Sequence, residues 1–171
     1  MTMLVFRSAA LAALCVALAF LPARAQQSET QSFRDWTVRC QSDSSPPCRM
    51  TQRLTHNGGE QLIEMVLYYL PAEDRYPFVV ELPLGIMVRP GVTLRINEGI
   101  DFPDLPITRC PAAGCLVETN ATPDMLQAMR NGVKATFLML LPDGRTLAIV
   151  FSVDGFSAAM DTMVARNRAA P

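Results

Sequence analysis

The chain has 171 residues, 50% of them hydrophobic, with 15 basic and 16 acidic side chains and a net charge of −1. That balance gives no basic footprint of the kind a nucleic-acid binder carries, so no nucleic-acid partner is expected. Only one long apolar run occurs, and it lies at the N-terminus.

That run is the centre of a secretory signal over residues 1–25. Arg7 supplies the positive start, Ala9 to Leu21 form an unbroken apolar stretch of thirteen residues, and Ala23-Arg24-Ala25 is an A-x-A cleavage site. The stretch is shorter than the ~20 residues a membrane-spanning helix needs. Cys15 follows a large Leu14 where a lipoprotein signal wants a small residue, so it reads as an apolar filler. Cleavage after Ala25 leaves an exported protein with no membrane span, destined for the periplasm, for secretion or for the cell surface. It keeps 13 basic and 16 acidic side chains, a net charge of −3. A chain this long can bury roughly 70% of its unfolded surface in one core, so one domain is expected.

Residues 26–32 are polar and read as a flexible tether. Phe33 to Cys40 alternates, with Trp36, Val38 and Cys40 on one face and Asp35, Thr37 and Arg39 on the other. After a loop, Arg49 to Thr55 repeats the pattern, with Met50 and Leu54 inward and Arg49, Thr51 and Arg53 outward. His56-Asn57-Gly58-Gly59 is a strong turn signal. Gln61 to Leu70 is apolar on both parities apart from Glu64, which predicts a strand covered on both faces, with a short helix as the alternative. Short apolar runs at Phe78–Leu82, Ile86–Arg89 and Val92–Ile96 are punctuated by Pro-Leu-Gly, Pro-Gly and Asn-Glu-Gly turns. Pro103 and Pro106 bracket a short connection into the Thr108–Glu118 stretch, where Pro111 and Gly114 sit between Cys110 and Cys115.

Four cysteines remain after the signal: Cys40, Cys48, Cys110 and Cys115. An even count in an exported chain implies disulfides, and four cysteines allow three connectivities. Cys40–Cys48 with Cys110–Cys115 is favoured because each pair brackets turn residues. Each short loop is then stabilised by roughly 2–2.6 kcal/mol, against about 4.5 for a long cross-link. The C-x7-C and C-x4-C spacings miss the usual zinc knuckles.

Thr122-Pro123-Asp124 opens a helix with a cap, a first-turn proline and an acid at the positive end. Leu126, Met129 and Val133 follow at helical spacing, and Gly132 stops it. Val133–Leu141 and Arg145–Val153 flank Pro142-Asp143-Gly144 as a long apolar hairpin. Leu138, Leu140, Ala148 and Val150 make its second face apolar too, and either the Met125–Met129 helix, the favoured cover, or a partner surface is expected to lie over them. Phe156 to Met163 forms a last short helix, and residues 165–171 read as a frayed tail. Many short strands with Gly/Pro turns argue for a mainly β fold, an antiparallel sandwich or barrel.

The order of these motifs is informative. Phe33-Arg34-Asp35-Trp36-Thr37-Val38-Arg39-Cys40 comes first, then Pro83-Leu84-Gly85-Ile86 and Pro90-Gly91-Val92-Thr93-Leu94-Arg95-Ile96. Arg109-Cys110 to Gly114-Cys115, the Leu126 helix with Ala135-Thr136-Phe137, and Ser152-Val153-Asp154-Gly155-Phe156 follow. Together they resemble the invasion-associated locus B family of exported bacterial proteins, from about Phe33 to Met163. Arg34 stands where that family has Gly, and Val88-Arg89 where it has apolar residues. The resemblance implies that residues 33–164 form an immunoglobulin-like antiparallel β-sandwich with one or two short helices. It implies an exported, non-enzymatic binding or interaction protein, with a protein or envelope partner, contributing to host-cell invasion. The alternative is a periplasmic cell-envelope or stress-adaptation factor with no host role. The family brings no catalytic residues to carry over, and neither reading fixes an oligomeric state.

The residues themselves point the same way. His56, the only histidine, sits in a turn signal with no nucleophile motif near it, and no C-x-x-C occurs. The pairs Met125/Met129 and Met160/Met163 read as core rather than as Cu(I) ligands, and Glu73-Asp74 as a loop pair. No catalytic, cofactor or metal site is assigned. The one candidate binding surface is the outward face of the first hairpin, where Arg39, Arg49 and Arg53 can hold phosphate, sulfate or an acidic glycan.

Overall fold

The computed structural model describes residues 28–55 and 61–170. The signal over residues 1–25, its cleavage point and the turn at His56 to Gly59 lie outside these residues. The elements are β1 (Ser28–Phe33), β2 (Trp36–Gln41), β3 (Cys48–Thr55), β4 (Gln61–Tyr68), β5 (Pro77–Leu82), β6 (Val92–Ile96), β7 (Ile100–Leu105), β8 (Ile107–Arg109) and β9 (Cys115–Asn120). They continue with α1 (Pro123–Asn131), β10 (Lys134–Leu140), β11 (Thr146–Ser152) and α2 (Phe156–Ala169).

The strands make two antiparallel sheets, one in the order β1-β2-β3-β4-β5-β9-β8 and one in the order β11-β10-β6-β7. Alternation explains which face each presents: β5 and β6 bury every second residue. The two inner faces meet in one apolar core, where Phe78 of the larger sheet stacks on Phe137 of the smaller with ring centroids 6.3 Å apart. The fold is therefore a mainly β, antiparallel sandwich with two helices. Polar groups tie the sheets as well. Buried Gln52 donates to the Asp35 and Ser152 carbonyls, and the Ser152 amide donates back to its Oε1 at 3.1 Å.

A seven-stranded sheet overhangs a four-stranded one by three strands, about 14 Å at the usual strand spacing. That width matches a helix of about 10 Å diameter. α2 occupies it, packing against β1, β2 and β3 with Phe156, Ala159, Met160 and Met163 buried. Trp36 meets Phe156 edge-on at 5.2 Å.

Both chain ends depart from expectation. Residues 28–32 of the expected tether are strand β1, and residues 165–169 of the expected tail are helix. β1 is exposed and polar, so no apolar alternation announces it; its backbone pairs along all of β2. Arg166 Nη2 donates to Glu29 Oε1 at 2.7 Å, binding the two ends to each other. Between β1 and β2 the chain turns in two residues, with Arg34 at φ 55. The run Phe33–Cys40 is thus a hairpin corner plus a strand, with Arg34 in a left-handed backbone that glycine adopts most readily.

β4 buries Ile63, Met65 and Leu67 but leaves Glu64, Val66 and Tyr68 half-exposed, because its outer face adjoins Thr51 and Arg53 rather than a second layer. Ile86–Arg89 is bend and turn, whereas Pro103 lies within β7, an edge strand that tolerates a missing N–H. Thr122 caps α1, its Oγ1 accepting from the Met125 amide at 3.2 Å. α1 does not cover the outer face of β10 and β11: Met125, Leu126 and Met129 enter the core, while Val150 stays 53% exposed. Val133 lies beyond the helix and is 80% exposed.

A Cys110–Cys115 disulfide closes the β8–β9 corner. Beside it, Arg109 and Thr108 both donate to Glu118, and these bonds, Arg109 first, hold its carboxyl below the ordinary 4.5 at about 2. Because the folded value is the lower one, the contribution is complete above about pH 4.5 and is lost as pH falls through about 2. An NMR titration should place the Glu118 midpoint near 2, moving upward in Arg109→Gln.

Candidate functional site

Register builds the site. Thr37 pairs with Thr51, Val38 with Met50, Arg39 with Arg49 and Cys40 with Cys48. Val38, Met50 and Cys48 are buried, so the intervening residues must face outward. Arg39 and Arg49 consequently stand directly opposite one another on the outer face of the larger sheet. Asp35, Thr37, Arg39, Arg49, Thr51 and Arg53 line one open concavity of about 250 Å³.

The arginines differ in what neutralises them. Arg53 Nε donates to Glu64 Oε1 at 2.8 Å. Arg49 Nη1 donates to the neutral Gln41 Oε1 at 3.4 Å and forms no ion pair among the described residues. Among the described residues no ion pair or hydrogen bond engages the Arg39 side chain. Like charges directly opposite in a sheet destabilise it by on the order of 0.2–1 kcal/mol. An anion between them would reverse that sign, because a guanidinium fork matches carboxylate, sulfate or phosphate oxygens in pairs.

The pair is held from below. Cys40 and Cys48 are joined by a disulfide one row further along, with Cα atoms 4.0 Å apart, which locks the register that sets Arg39 against Arg49. Buried Asn167 of α2 accepts from the Cys48 amide at 2.9 Å and donates to the Cys48 and Tyr69 carbonyls at 3.0 and 3.1 Å.

All three candidate arginines are therefore brought together. Thr37 and Thr51, and Glu64 as the neutraliser of Arg53, went unassigned; the alternation that turns the arginines outward also places the threonines there. The other candidates lie elsewhere. Met125, Met129, Met160 and Met163 are core. Glu73 pairs with Arg75, and Asp74 accepts from the Tyr69 hydroxyl at 3.0 Å. His56 is outside the described residues. Among the described residues no group of three His, Cys, Asp or Glu side chains is placed to hold a metal ion, and no helix is long and apolar enough to cross a membrane.

Comparison with known proteins gives consistent likenesses. A family model described as "Invasion associated locus B (IalB) protein" matches residues 36–164. An invasion protein B homolog from Brucella abortus is 28% identical over 169 residues, covering 96% of this chain and 95% of that protein. Invasion protein B from Bartonella bacilliformis is 25% identical over 145 residues, covering 82% and 77%. The crystal structure of invasion associated protein b from Bartonella henselae superposes with a TM-score of 0.73 at 23% identity, covering 82% of this chain and 99% of that one; it is a likeness of fold.

Proposed function

Since the chain belongs to the invasion associated locus B family, we propose that it is an exported, non-enzymatic binding protein whose ligand-facing surface is the β2–β3 concavity. The carrying observation is a pair of directly opposed guanidiniums, Arg39 and Arg49, neither of which forms an ion pair among the described residues. Such a pair suits an anionic group on a partner. A binding role is supported by the lining, which offers guanidinium forks, hydroxyls and the Asp35 carboxylate.

Export is supported by the signal-like residues 1–25 and by two disulfides, which persist in oxidising compartments such as the periplasm or cell exterior. The names of the Brucella and Bartonella relatives support a role at the host cell. Fractionation followed by pull-down from envelope and host-cell extracts tests this reading. Surface or released protein that captures a host component, and loses it in Arg39→Gln/Arg49→Gln, is expected. Retention in the periplasm with capture of an envelope component alone would replace the host role with an envelope one.

A further inference from the structure

The concavity is not uniformly basic, and its gradient narrows the ligand. Its residues fall in three rows along β2 and β3. The first holds Arg39 and Arg49 and the second Thr37 and Thr51; beyond the paired register, Asp35 of the β1–β2 turn and Arg53 of β3 line the far end as a third. Arg53 is already matched by Glu64, so Asp35 leaves the third row net negative. Charge thus falls from +2 to −1 over four residues of strand, about 13 Å.

A small inorganic anion would use only the first row. A uniform polyanion, whether polyphosphate, nucleic acid or a sheet of anionic headgroups, would meet Asp35 at the far end. A zwitterionic headgroup keeps its two charges much closer together than these rows. The lining suits a ligand with an acid at one end and neutral hydroxyls along the rest. Threonine hydroxyls can donate to or accept from those hydroxyls, and a carboxylate accepts from them. Tyr68 stands across from Arg49 in β4 and is half-exposed, offering a ring at the edge of the first row.

Resting on the anion-binding reading above, we infer that the ligand is an acidic glycan. Its carboxylate or sulfate lies between Arg39 and Arg49, and its hydroxyls run along Thr37, Thr51 and Asp35.

The test is calorimetry on the disulfide-intact exported protein with three probes: inorganic sulfate, 3′-sialyllactose (a trisaccharide with a single carboxylate at one end), and phosphatidylglycerol vesicles. The trisaccharide should bind at least tenfold more tightly than sulfate. Arg39→Gln/Arg49→Gln should weaken both at least tenfold. Asp35→Asn separates the two ideas: it should weaken the glycan several-fold and leave sulfate unchanged or tighter. All three side chains are at the surface, and circular dichroism verifies that the variants fold. If sulfate binds through the arginines but the glycan is no tighter, or Asp35→Asn strengthens both, the glycan inference fails and the anion site stands. Vesicle binding through the arginines without glycan binding assigns the face to membranes instead. If no probe binds, both fall.

Discussion

Gly155→Ala should lower the melting temperature by roughly 10 °C or more, the largest effect expected of a methyl group added at any described glycine. Gly155 precedes α2 at φ 86 and ψ −6, a left-handed backbone that costs any other residue about 1–2 kcal/mol. An added Cβ would also stand 1.9 Å from the Phe33 carbonyl oxygen and 2.7 Å from its carbon. That neighbour is backbone at the β1–β2 corner and cannot rotate away, so the hairpin or the helix must shift. Together these effects reach about 3 kcal/mol or more, and each kcal/mol is worth roughly 3–4 °C in a domain near this size. Gly144→Ala is the control. Its φ is 84 but nothing lies within 4 Å of the added carbon, so only the backbone cost remains. Equal losses in the two variants would show that Gly155 matters for its dihedral angle alone.

Asn167→Leu should destabilise by about 3 kcal/mol, read from chemical denaturation. The side chain is 3% exposed and makes three bonds, to the Cys48 amide and to the Cys48 and Tyr69 carbonyls. Leucine fills similar space but leaves buried polar groups unmatched, at about 1–3 kcal/mol each. Local release distinguishes this from a general loss. Amide exchange should accelerate first at Cys48 and through the last turn of α2. Uniform acceleration across both sheets would contradict a local role for Asn167.

What the sequence announces and what it conceals divide along physical lines. Trp36, Val38, Met50, Phe137 and Phe151 declare themselves because burial follows the two-residue period of a strand. Thr122, Pro123 and Gly132 declare α1 because capping is a local interaction. β1 is silent: Ser28 to Phe33 is held by backbone bonds to β2, and such bonds need no apolar pattern. Arg34 hides a turn because a residue other than Gly, Asn or Asp seldom adopts φ > 0. The end of α2 is concealed for a different reason, since Asn167 is a surface type of residue that becomes useful only beside Cys48, 119 positions away.

The site follows the same division. Alternation alone sets Arg39, Arg49 and Arg53 on one face. Which of them stays unmatched depends on the long-range register of β4 against β3, which brings Glu64 to Arg53 and Tyr68 to Arg49, and leaves Arg39 and Arg49 without an ion pair among the described residues. The β5–β9 pairing is likewise invisible to local pattern, because three strands and several turns intervene.

The most direct test of the central claim is an NMR titration of the arginine side-chain Nε–Hε groups with sodium sulfate at low ionic strength. Arg39 and Arg49 should shift together along one saturable curve, while Arg53, held by Glu64, and Arg95, held by Asp101, move little. Proportional, unsaturated drift of every exposed arginine would mean that the opposed pair is an ordinary solvated surface, and the β2–β3 concavity would not be the binding face.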